Sequence, residues 1–326
     1  METVLTMNKV AKRYGKRTAL RGLNIRVPAG SLFGLVGSNG AGKTTALSIA
    51  AGITRADSGT VDVFGKGPFE PARSAGRLSL IPQEAVFPPH AKVRDLLFFY
   101  AGLQGLSAGR SFQAADEALE QVHLADRAES SIRSLSHGMR RRVAVAQAFL
   151  GDIELALLDE PMSGLDPREV MNLREMLSNR RNGRTIVISS HNLFEIERIC
   201  DEVAFIESGQ TVRQDSLEQV TGRTHALTYF LEPETVRLKD IQQILPGARF
   251  SVAPANSKNS ARIKGCRSVL LCEYDGNAMT AGEVNKAVLP GLIKAGIQLI
   301  EVRRGMELEH AYLAVSGESQ KLQDLP

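Results

Sequence analysis

The chain has no tryptophan, and phenylalanine and tyrosine make up only 5% of its 326 residues. Surfaces that stack single-stranded bases need aromatic platforms beside a basic groove, so this scarcity argues against a nucleic-acid partner. A one-sided charge is also missing. There are 27 basic and 25 acidic residues before position 221, and 13 and 11 after it, so the net charge of +4 includes no basic tail. Cysteines number three, Cys200, Cys266 and Cys272. That odd, sparse count excludes a disulfide framework and suits a reducing compartment. Without metal-ligand spacing they read as small buried residues. No run of about 20 apolar residues exists, so no membrane-spanning helix is expected. The opening METVLTMNKVAKRY lacks the apolar core of a signal peptide. The expectation is a cytoplasmic protein, peripheral on the membrane through a partner.

What is present is ordinary globular material, 43% hydrophobic and 23% charged, long enough for two domains. Short apolar runs at 31–37 (SLFGLVG), 77–82 (RLSLIP), 154–161 (ELALLDEP) and 185–191 (TIVISSH) read as buried strands. SGTVDVFG at 58–65 alternates like a half-exposed strand, and VAFIESGQTV reads as a hairpin around Ser208-Gly209. Strands alternating with helices predict an α/β domain on a mostly parallel sheet over 1–220, with a helical insertion at about 85–150. Residues 221–326 change character. HALTYFL, ARFSVA, SVLLCEY and IQLIEV suit strands, whereas ETVRLKDIQQIL, a segment opened by Thr280 and Glu283 at capping-box spacing, and MELEHAYLAV suit helices. The order β-α-β-β-α-β predicts a small α+β, ferredoxin-like domain.

Residues 37–45 read GSNGAGKTT, in which Gly37, Gly42, Lys43 and Thr44 satisfy a phosphate-loop pattern. Glycines are needed because backbone N–H groups must wrap closely around phosphates, where a Cβ would block both turn and approach. The candidate nucleotide contacts are Gly37, Ser38, Asn39, Gly40, Ala41, Gly42, Lys43, Thr44 and Thr45. Lys43 would reach the β- and γ-phosphates of ATP and the Thr44 hydroxyl would bind Mg²⁺. The apolar strand LALLDEP (155–161) ends in Asp159-Glu160 at the carboxyl edge of the sheet. Asp159 would hold the same metal, and Glu160 would polarise an attacking water.

GSNGAGKTT, Gln83, LSHGM (135–139), LALLDEP, SGLD (163–166) and His191, in this order and spacing, resemble the ABC-type ATPases, a P-loop NTPase family, over about residues 1–220. The resemblance implies further roles. Tyr14 would stack on adenine, Gln83 would bind Mg²⁺ and sense the attacking water, and His191 would contact the γ-phosphate. LSHGM resembles the family's signature, usually LSGGQ, with His137 and Met139 as departures. Its Ser136 and Gly138 would act across a dimer or pseudo-dimer on ATP held by the other copy. Asp166 would cross to that copy. Arg140, Arg141 and Arg142 follow on the same helix and should spread between solvent, subunit interface and local acids rather than form a nucleic-acid hook. AVFPPHAKVRDLLFFY (85–100) is a candidate groove for a separate integral membrane permease, with Phe87 the better docking residue and Phe98 or Phe99 helical core. The region after 220 resembles the accessory domain of antibiotic- and sodium-extrusion ATPases. The whole implies the ATP-hydrolysing subunit of an exporter. The alternatives are an ATPase acting on ribosomes or nucleic acid, and a nucleotide-binding scaffold.

Overall fold

In the computed structural model the described residues are 2–71, 76–179, 183–222, 225–233, 241–255, 263–276, 278–306 and 308. The chain divides into two compact units, Met1–Gln214 and Asp215–Pro326.

The first unit opens with two long strands, β1 (Thr3–Tyr14) and β2 (Arg17–Pro28), then β3 (Leu32–Val36), helix α1 (Lys43–Ala50), β4 (Ser58–Val63) and β5 (Leu78–Ile81). A helical block follows: α2 (Val93–Leu103), α3 (Ala108–Gln121) and α4 (His137–Ala148). The chain returns through β6 (Leu155–Asp159), α5 (Pro167–Asn179), β7 (Thr185–Ser190), α6 (Leu193–Ile199), β8 (Glu202–Glu207) and β9 (Gln210–Ser216). Six strands form one sheet in the order β5-β6-β7-β3-β8-β9, and β2-β1-β4 form an antiparallel sheet. Strands β5, β6, β7, β3 and β8 run parallel. Every residue of β3, β6 and β7 is buried, as continuous apolar runs in a parallel sheet require. The hairpin at Ser208-Gly209 has φ of 48° and 80°, the pair of positive values that a type I′ turn needs. Strand β2 was not singled out in the sequence. It alternates buried and exposed positions beside β1, and the two sheets share one apolar core.

Register positions the site. Val36 lies opposite Ser190, and Asp159 opposite Ser189, so three loops leave the sheet at one level of its carboxyl edge. In open parallel sheets that edge is where ligands bind.

The second unit contains α7 (Leu217–Val220), β10 (Ala226–Leu231), β11 (Arg249–Pro254), β12 (Ser268–Glu273), α8 (Ala281–Lys294) and β13 (Leu299–Arg304). Its four-stranded antiparallel sheet has the order β11-β12-β10-β13. Thr280 and Glu283 make the expected capping box at the start of α8, whose Val284, Val288 and Leu292 enter the core. Most of ETVRLKDIQQIL and nearly all of MELEHAYLAV lie outside the described residues.

Candidate functional site

The loop after β3 is shaped by close approach. A Cβ on Gly37 would lie 2.2 Å from the Ile206 carbonyl oxygen, so glycine alone fits there. Gly42 takes φ 111° and caps α1, which no side chain allows without strain. Ala41 is buried and donates its amide to the Ser38 carbonyl at 3.1 Å. The Lys43 ammonium donates to the carbonyls of Gly37 (2.7 Å) and Ser38 (3.3 Å) and pairs with Glu160 Oε1 at 3.2 Å. Both side chains of that pair are only 6% exposed.

The carboxylates are held just as tightly. The Thr44 hydroxyl donates to Asp159 Oδ2 at 2.7 Å. The Ser189 hydroxyl donates to Asp159 Oδ1 and accepts from the Glu160 amide at 2.9 Å. His191 Nδ1 meets Glu160 Oε2 at 2.8 Å, with its ring half exposed. Glu160 thus joins a buried cation to a solvent-facing imidazole. Its own backbone lies in the left-handed region, φ 48°.

A cleft of about 590 Å³ opens beside these groups, the size of a small-molecule site. Tyr14, Asn39, Gly40, Gly42, Lys43, Thr44, Thr45, Gln83 and Glu160 line it. Tyr14 is 49% exposed, with the Lys12 ammonium 5.5 Å from its ring centre. Ser136, Gly138 and Asp166 are not among its lining residues. Ser136 instead caps α4, its hydroxyl accepting from the Met139 amide at 3.1 Å. Asp166 caps α5 by accepting from the amides of Arg168 and Glu169. Glu169 packs over Gly138, where an added Cβ would meet its carboxylate at 1.9 Å.

Two expectations are corrected. The three arginines do not reach local acids. Arg140 donates to the Leu135 carbonyl, Arg142 to those of Val122 and His123, and buried Arg141 to five carbonyls around the site. A helix start buried against loops meets backbone acceptors before it meets carboxylates. Phe87 is buried against Tyr100, whereas Phe99 is 58% exposed. Phe87 packs inward because α2 presents Tyr100 to it, and Phe98 spends its face on Phe112, 4.3 Å between ring centres.

Sequence reasoning also missed Glu195. Its carboxylate accepts from Ser190 Oγ (3.2 Å) and Asn192 Nδ2 (3.0 Å), the residues on either side of His191. Burial raises its pKa above the ordinary value, against those two hydrogen bonds, and nearby Glu160 adds to the rise. The capping Asn192 at the start of α6 was the available signal.

The family model described as ABC transporter matches residues 20–163. The chain is 31% identical to Nod factor export ATP-binding protein I of Ralstonia nicotianae, over 98% of this chain and 95% of that protein. It is 33% identical to linearmycin resistance ATP-binding protein LnrL of Bacillus subtilis, over 64% of this chain and 68% of that one. Daunorubicin resistance ATP-binding protein DrrA3 of Streptomyces coeruleorubidus is 28% identical over 99% of both chains. Among solved structures, an ATP-binding subunit of an ABC transporter superposes with a TM-score of 0.60 at 26% identity, covering 68% of this chain and 93% of that one.

Proposed function

The chain belongs to the ABC transporter family of ATP-binding proteins, and from that premise we propose which residues carry its ATPase reaction and what it assembles with. It is an ATP-binding, ATP-hydrolysing subunit of the exporter type. The observation that carries the site assignment is that Lys43, Thr44 and Glu160 line the cleft and are joined directly to Asp159 and His191, Thr44 to Asp159 and Glu160 to His191.

In this reading the triphosphate lies along 37–45. Backbone amides and the N-terminus of α1 receive its negative charge, and Lys43 binds the β- and γ-phosphates. Tyr14 takes the adenine on its open face. Thr44 and Asp159 aim two hard oxygens at one point, a donor set that suits Mg²⁺, and the Gln83 amide oxygen at the cleft wall would complete it. When bound, the metal neutralises developing phosphate charge. Glu160 accepts a proton from the attacking water, and His191, hydrogen-bonded to the same carboxylate, turns toward the γ-phosphate. Clearing the way for that water requires Lys43 to leave Glu160 for the nucleotide.

Ser136, Gly138 and Asp166 stand off the cleft of their own chain, which fits a role on ATP held by a second copy. The functional unit is then a homodimer or pseudo-dimer, closed by ATP and opened by hydrolysis. No helix among the described residues is long and apolar enough to cross a membrane. By likeness to the export ATP-binding proteins it resembles, the transport step is assigned to an integral membrane permease on a separate chain, which holds this subunit at the cytoplasmic face. The exposed Phe99, with Leu103 on the same helix, replaces Phe87 as the aromatic offered to it. Residues 221–326 brace or regulate the dimer. The relatives are named for Nod factor export and for linearmycin and daunorubicin resistance, and by that likeness the cargo is a compound carried out of the cell. The comparisons give no support to a ribosome- or nucleic-acid-directed ATPase.

The test is purification of the chain from native membranes in mild detergent, with ATPase assays beside it. A stoichiometric multi-span membrane protein, and turnover lost in Glu160→Gln with ATP binding kept, supports the reading. Ribosomes or nucleic acid in its place would refute it.

A further inference from the structure

Arg141 and the backbone of Glu160 form one device. A guanidinium carries five N–H donors in a planar fork, and here all five meet backbone carbonyls. Nε donates to Pro161 (2.9 Å), Nη2 to Asp159 (2.8 Å) and Glu160 (2.7 Å), and Nη1 to Pro82 (3.1 Å) and Gln83 (2.8 Å). The residue is 6% exposed, and no carboxylate is among these acceptors. Burial lowers its pKa from the ordinary arginine value, while Asp159 and Glu160 favour its charge from a distance.

Three of the acceptors are consecutive. In an extended strand, successive carbonyls point to opposite sides and could not share one fork. The left-handed turn at Glu160, φ 48°, is what brings the carbonyls of Asp159, Glu160 and Pro161 onto the same cation. A residue with a Cβ keeps that conformation only where its surroundings over-determine it. The other two acceptors, Pro82 and Gln83, directly follow β5.

We propose that Arg141 is a positioning residue for hydrolysis, holding the Glu160 backbone in the turn that aims its carboxylate at Lys43 and His191 and binding that turn to the Gln83 segment. The inference deepens the reading above, because it rests on Glu160 as the general base. Arg141 itself is not among the residues that line the nucleotide cleft. It fixes the distance between the segment that senses the γ-phosphate and the carboxylate that activates water. A lysine would keep the charge but offer three donors from one compact point, too few and too close together to serve both segments.

The full chain is compared as wild type, Arg141→Lys, Arg141→Gln and Glu160→Gln, with ATP turnover, the Kd for ATP and thermal unfolding measured on each. Misplacing a catalytic group by about 1 Å can cost on the order of 100-fold, so Arg141→Lys should lower kcat at least about 10-fold. Arg141→Gln should lower it further, and both should leave the ATP Kd within about 2-fold of wild type, since the phosphate loop is untouched. A purely structural role would instead weaken binding and turnover together. Wild-type kcat in either arginine variant, or Kd rising in step with falling kcat, overturns the proposal. If one variant does not fold, the other still decides. An active Glu160→Gln would sink the general-base reading itself. A dead Glu160→Gln beside a fully active Arg141→Lys would sink only the role given to Arg141.

Discussion

Replacing Lys43 with methionine removes the ammonium that lies 3.2 Å from the buried Glu160 carboxylate. At an effective dielectric near 20, that separation corresponds to about 5 kcal/mol of attraction. Desolvation of the two ions offsets much of this in the intact pair, but deleting one partner leaves the other buried and uncompensated, a loss of about 3–5 kcal/mol. His191 Nδ1 keeps its 2.8 Å contact to the other carboxylate oxygen in the variant, and that hydrogen bond offsets part of the loss. Lys43→Met should therefore destabilise the nucleotide-free chain by about 3 kcal/mol. Adding Glu160→Gln removes the stranded charge and should return about 2 kcal/mol of that, a coupling a double-mutant cycle measures directly. With no tryptophan in the chain, urea unfolding is followed by far-ultraviolet circular dichroism. Nucleotide is omitted, because binding would add its own stabilisation. A loss under about 1 kcal/mol for Lys43→Met, the range of exposed pairs, would refute the reasoning. So would a double variant no more stable than the single one.

Gly37→Ala drives a Cβ to 2.2 Å from the Ile206 backbone oxygen, whereas Gly138→Ala meets only the movable end of Glu169. The first should cost about 1–3 kcal/mol or more in urea unfolding and the second under about 1. Glu195 has its pKa raised by burial, so it binds a proton more tightly folded than unfolded. Its contribution is most favourable at pH below the ordinary value of 4.5 and is lost as pH rises toward the raised folded value. Glu195→Gln should therefore flatten the fall of Tm with rising pH across that window, and an unchanged slope would contradict the burial argument. Cys272 is buried, with its thiol pushed up to about 12, whereas Cys266 is partly exposed. Iodoacetamide at neutral pH should label Cys266 first by intact mass, and early labelling of Cys272 would show the second unit opening.

The phosphate loop, the strand ends at Asp159-Glu160 and His191, and the caps at Ser136 and Thr280 could all be read in advance, because each is chemistry of contiguous residues. Gly37 and Gly42 sit where a Cβ is excluded, and Ser136 caps because a hydroxyl at a helix start finds a free amide. Parallel order followed from apolar runs alternating with helical spacing. Strand β2 was passed over because its half-exposed pattern is weaker than a fully buried run. The aromatic pair was reversed for a different reason. Phe87 and Phe99 have equal hydrophobicity, and only the packing of Tyr100 and Phe112 decides which one turns inward.

By itself, then, the sequence determined where the glycine-rich loop leaves its strand and which carboxylates stand at the sheet edge. Tertiary structure decided how those groups are aimed. Arg141 finds its acceptors 18 to 59 positions away along the chain, Glu160 meets His191 across 31, and Thr44 meets Asp159 across 115. None of those separations leaves a periodic trace in sequence. Three adjacent arginines look alike as letters, and they differ only after the helix is laid against Pro82, Asp159 and Pro161, when Arg141 alone of the three is buried and gives every one of its N–H groups to a backbone carbonyl.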